Sequence, residues 1–135
     1  MQFLLIILSV IKFGGSSMKW NVTEVAVKDL IDAAEQGAYC TAGHSISADL
    51  VHALERGFPV QPIYCSREDS GALKVLIGSQ TLNSLVHAHK QNLISGIMYR
   101  KLLVIEIILE EEPESVLTEV VDYLKNSNQS NIRWR

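Results

Sequence analysis

The chain has 135 residues and a net charge of −3, with 47% hydrophobic and 20% charged residues. That length suits one domain with its own core, and that balance is ordinary for a soluble globular protein. It excludes the broad basic footprint by which proteins grip nucleic-acid phosphates. Two cysteines, Cys40 and Cys65, form no CxxC motif and no disulfide framework, so a reduced, cytoplasmic setting is the expectation.

The first 17 residues are a separate problem. Met1–Phe13 is apolar, with Lys12 its only charge. A spanning helix needs about 20 apolar residues, more than this run supplies. A secretory signal would carry a basic residue ahead of the run and small residues at a cleavage site; no basic residue precedes Phe3, and Phe13-Gly14-Gly15-Ser16-Ser17 is a poor cleavage context. Three readings of residues 1–17 stand: a leader produced by a mis-assigned start, with Met18 the native first residue; an extra strand or helix; and a signal or anchor. Gly14-Gly15 can be encoded by a ribosome-binding sequence ahead of Met18, which favours the first. Residues 18–135 read as a single domain without repeat or linker.

From there the pattern alternates between short β-branched runs and helical spacing. Val22–Val27 reads as a strand. Val27, Leu30, Ile31 and Ala34 then share one helical face, with Gly37 as the stop. Tyr39–Gly43 reads as a loop or short strand. Ser47 can cap a helix over Ala48–Arg56 that ends at Gly57. Pro59 and Pro62 hold Phe58–Cys65 extended, and Leu73–Ile77 pairs with it as a hairpin across a polar turn. Gln80–Lys90 is helical. Leu102–Leu109 is apolar on both faces and is expected at the centre of a sheet. Pro113 suits a helix start, and Ser115–Lys125 carries apolar residues at helical spacing. Asn126–Asn131 reads as a loose polar tail.

The chemistry-bearing stretch is Ile77-Gly78-Ser79-Gln80-Thr81, a glycine turn between strand and helix. Such a turn brings backbone close to a ligand, and the helix start offers N–H groups to an anion. Gly78, Ser79, Gln80 and Thr81 are therefore the candidate nucleotide- or anion-binding residues; the competing reading is a plain turn with Ser79 as the cap. A Cys40/His44/Cys65 group is the only conceivable metal or nucleophile cluster, and its spacing is diagnostic of neither. No catalytic residue, metal site or cofactor is expected. Glu110, Glu111 and Glu112 are the candidate partner-binding residues, an acidic group able to dock on a basic protein surface.

The order of elements and several segments resemble the ParB/sulfiredoxin-like superfamily. The likeness is to the branch of the domain of unknown function found in GmrSD-type restriction enzymes. Leu30-Ile31-Asp32 with Gly37 and Tyr39 is similar to that branch's opening helix and entry. Leu50 to Tyr64 is similar to its helix–Gly–Pro segment. Ile77 to Leu85 lies where the family writes DGQQRLTSL, and Val121 to Asn128 resembles a later segment. The resemblance implies an α/β (α+β) fold: a small mixed sheet with flanking helices. It also implies nucleotide phosphate chemistry, but the family's Asp is Ile77 here, its first Gln is Ser79 and its Arg is Thr81. An Arg supplies a fork of phosphate donors and an Asp supplies a metal-binding or basic carboxylate. Their loss points to a non-catalytic interaction protein, partnered by another protein and not by a membrane. One concrete form is a phage or mobile-element inhibitor of a defence system, anti-restriction or anti-CRISPR. A weak nucleotide-binding or hydrolysing enzyme using the Gly78 turn is the alternative. A DNA-binding ParB-like protein is the second, opposed by the net charge.

Overall fold

The structure is a computed structural model. It describes the backbone of residues 6–13, 16–109 and 115–133, and the side chains of 18–94, 96–109 and 115–126. The strands are β1 (Ile6–Phe13), β2 (Ser16–Ala26), β3 (Tyr39–Cys40), β4 (Ile63–Arg67), β5 (Leu73–Ile77) and β6 (Lys101–Leu109). The helices are α1 (Val27–Glu35), α2 (Ala48–Glu55), α3 (Ser79–Lys90) and α4 (Ser115–Arg133), with a single 3-10 turn at Ser95–Ile97. They form a mixed α/β fold on one sheet of order β1-β2-β6-β4-β5-β3.

The mostly apolar run of β6 takes an interior place, antiparallel to β2 and parallel to β4. Each face supplies buried residues to a core, while Lys101 and Leu103 at its start stay exposed. Leu102 and Val104 pack with α1, α2 and α3, while Ile107 packs on the opposite face with Val120 of α4. The first core holds Val27, Leu30, Ile31, Leu54, Ile63, Leu82 and Leu85 among its members. The second is smaller: Met18, Tyr64, Ile77, Ile107 and Val120.

Helix ends follow from hydrogen-bond accounting. The first N–H groups of α1 lack partners in their own helix. Val27 and Lys28 donate instead to the carbonyls of Arg100 and Met98, each at 2.8 Å. This ties the start of α1 to the chain entering β6. At the other end, Gly37 donates to Ala34 and Ala38 to Ala33, the paired bonds of a Schellman stop. Gly57 and Phe58 repeat it after α2, donating to Leu54 and Ala53.

Three elements differ from the sequence expectation. Helix α4 runs to Arg133, through the polar segment expected to be a tail, because Lys125 to Arg133 contains no Gly or Pro to break the pattern begun by Val116, Leu117, Val120 and Val121. The extended Phe58–Cys65 segment becomes strand only from Ile63, beyond both prolines. The expected β4–β5 hairpin is present, but its register shifts between Tyr64 and Cys65.

Candidate functional site

That register shift shapes the candidate site. Tyr64 pairs with Ile77 and Cys65 pairs with Val75, so Leu76 is an extra residue in β5. In a regular strand Val75 and Ile77 would share a face. The bulge separates them: Val75 enters the first core and Ile77 the second, beside Tyr64 and Val120. Ile77 is thus 8% exposed in an apolar cluster. A carboxylate there would lack a charged partner and lose its hydration.

Gly78 follows with φ +109° and forms the start of α3 without a side-chain cap. A Cβ built on it would lie 3.1 Å from Cγ1 of Ile63 and 3.3 Å from its Cα. Glycine is therefore required by conformation and by contact with β4, before any ligand is considered. The first turn of α3 does bring Gly78, Ser79, Gln80 and Thr81 together, but their side chains are committed differently. Ser79 Oγ accepts from the Ala42 N–H at 3.0 Å. Gln80 Nε2 donates to Ser45 Oγ at 2.9 Å. Thr81 is buried, 6% exposed.

Two residues not singled out from the sequence complete the arrangement. Asn83 Nδ2 donates to the Gly43 carbonyl at 3.2 Å, and Ser84 Oγ accepts from the Ser47 N–H at 2.7 Å while donating to the Gln80 carbonyl at 2.6 Å. Ser79, Gln80, Asn83 and Ser84 therefore form a polar seam that holds the 42–47 loop against α3. The spacing of 79, 80, 83 and 84 marks one helical face and is the signal that identifies the seam in retrospect.

Beside the seam lies a cleft of about 290 Å³ between the loop and α3, lined by Tyr39, Thr41, His44, Asn83, His87 and Lys90 over apolar Ala34, Leu82 and Val86. No carboxylate lines it. Burial pushes the Tyr39 hydroxyl up to about 12, so it stays protonated and can donate. A second groove, of about 290 Å³ and more apolar, runs between α2 and α3 past Ile46, Val51, Ala88 and Leu93.

The two cysteines stand in different surroundings. Cys40 is exposed and its Sγ lies 3.7 Å from a Glu68 carboxylate oxygen. Cys65 is fully buried, and burial, with Glu106 adding to it, pushes its thiol up to about 12, away from the nucleophilic thiolate. Next to it Arg67 donates to both Glu106 oxygens, at 3.1 and 3.0 Å, a forked ion pair joining β4 to β6. Among the described residues no group of three or more His, Cys, Asp or Glu is placed to hold a metal. No helix among them is long and apolar enough to cross a membrane. Glu110, Glu111 and Glu112 lie outside the described residues. Comparison with protein-family models, curated proteins and solved structures finds no match to the chain.

Proposed function

We propose that this chain is a cytoplasmic, non-catalytic interaction protein: a degenerate relative of the nucleotide-hydrolysing ParB-like domain that acts on another protein. The observation that carries the reading is the polar seam. Every polar side chain of the α3 entry that a phosphate would use is either bonded to the 42–47 loop or buried. The position where the family places its acid faces the second core as Ile77. An inhibitor encoded by a phage or mobile element and directed at a defence system is the concrete form this takes. Glu110, Glu111 and Glu112 are its proposed contact with a basic partner surface.

Thermal shift with ATP or GTP and Mg²⁺ tests it. No stabilisation is expected; a saturable upward shift would overturn the reading, since any ligand of the native state raises stability by mass action. The partner side is tested by pull-down from host lysate, with charge reversal at Glu110, Glu111 and Glu112 as the control. The second reading, weak nucleotide binding, is favoured by the cleft. It presents His44, His87 and Lys90, and no carboxylate, to an anion. A shift abolished by Lys90→Ala with His87→Ala would establish that reading in place of the first.

A further inference from the structure

Two hollows lie side by side along α3. The basic cleft and the apolar groove share Ile46 and His87 in their walls, so they meet along one ridge. Their chemistry differs. The cleft carries the Lys90 ammonium and the imidazoles of His44 and His87, with no carboxylate. On a chain of net charge −3 this is a local reversal of sign. The groove is lined by buried Val51 and Ala88 and by two large apolar side chains left open, Ile46 at 47% exposed and Leu93 at 60%. Single exposed apolar residues are ordinary, but two lining one groove form an uncovered patch. The groove's buried polar residue, Ser84, asks nothing of a ligand: its hydroxyl accepts from the Ser47 N–H and donates to the Gln80 carbonyl. The carboxylate at the groove, Glu55, is engaged with the His52 imidazole at 3.3 Å.

We propose that this double hollow is the docking site for a short segment of the partner protein in which an apolar side chain stands beside an Asp or Glu. The inference rests on the reading of the chain as an interaction protein and names the chemistry that it recognises. Complementarity selects the occupant. An apolar side chain in the groove covers Ile46 and Leu93, while a carboxylate across the ridge meets Lys90 and His87. A free phosphate satisfies the cleft but leaves the groove open. A wholly apolar segment fills the groove and leaves Lys90 unused. Only a segment that carries both groups uses both hollows.

The test is selection from a displayed library of random short peptides on the immobilised full chain. The expected consensus joins Leu, Ile, Phe or Met to a neighbouring Asp or Glu. The selected peptide, labelled with a fluorophore, is then titrated by fluorescence polarisation. Leu93→Ser and Lys90→Glu should each weaken it about tenfold or more, the loss expected of an anchor residue. Both side chains are exposed, so circular dichroism should stay unchanged. If either variant misfolds, Ile46→Ser and His87→Glu, also at exposed positions, take its place. Absence of a consensus overturns the proposal, as does a consensus lacking either the acid or the apolar residue. A peptide whose affinity survives either substitution overturns it too. So does a doubled chain mass in light scattering that Leu93→Ser returns to one copy, because a second copy then fills the groove. The two readings fail separately. A saturable thermal shift with ATP and Mg²⁺ overturns the interaction reading, whereas a missing consensus without that shift removes the docking site alone.

Discussion

Replacing Gly78 by alanine separates two costs that usually come together. The residue sits at φ +109°, and its added methyl would meet Ile63 at 3.1 Å from Cγ1 and 3.3 Å from Cα. Gly71 provides the comparison: its φ is +94°, but a Cβ there meets nothing within 4 Å. A left-handed backbone costs an L-residue about 1–2 kcal/mol, which is the whole penalty expected for Gly71→Ala. At Gly78 the methyl also presses on strand backbone, which cannot rotate away as a side chain can. Overpacking of this kind adds about 1–3 kcal/mol, so Gly78→Ala should lose roughly 2–5 kcal/mol in all. Urea unfolding followed by circular dichroism measures both, as a lowered midpoint at unchanged slope. Equal losses for the two variants would refute the argument that Gly78 is fixed by its approach to β4. The same geometry makes Gly78 substitutions poor probes of nucleotide binding, because they weaken the fold whether or not a ligand exists.

Three further outcomes are expected. Ile77→Asp, which places an acid where the ParB-like domains it resembles carry one, should destabilise by about 3–5 kcal/mol, the scale of an uncompensated buried charge, and should confer no nucleotide-dependent thermal shift. A stable Ile77→Asp variant would mean that the bulge lets this side chain reach solvent. Cys65 is raised in the folded state from 9.0 to about 12, so above pH 9 the unfolded chain releases its proton first. Stability should therefore fall as pH rises through that window, and Cys65→Val should flatten the fall, read as urea midpoint against pH. In the native protein a thiol reagent should label Cys40 and spare Cys65 until urea is added.

The sequence carried the order of elements well where one physical signal dominated. Leu102–Leu109, mostly apolar on both faces, reads as a central strand and takes an interior place in the sheet. The paired glycines Gly37 and Gly57 stop two helices by a bond pattern that local sequence encodes. The site was less legible. Residue types at 79 to 81 suggest an anion cradle, but whether hydroxyls and amides face a ligand or another loop depends on where the 42–47 segment packs, and that contact spans more than thirty residues of sequence. The bulge at Leu76 was hidden for a related reason. The run Leu73-Lys74-Val75-Leu76-Ile77 gives no hint of an inserted residue, which only the pairing with β4 defines. The extension of α4 shows the opposite error, where polarity was taken for disorder although no breaker was present.

The place of β6 sets a timetable for the newborn chain. Strand β2 is complete at Ala26, yet its inner neighbour begins only at Lys101. At about 5–20 residues per second, synthesis leaves that flank open for roughly 4–15 s. Throughout that interval the N-terminal hairpin has two open flanks, and Met18, destined for the second core, has neither Ile107 nor Val120 to cover it. The central strand is thus also the last strand, and the sheet closes around it only when nearly the whole chain has been made.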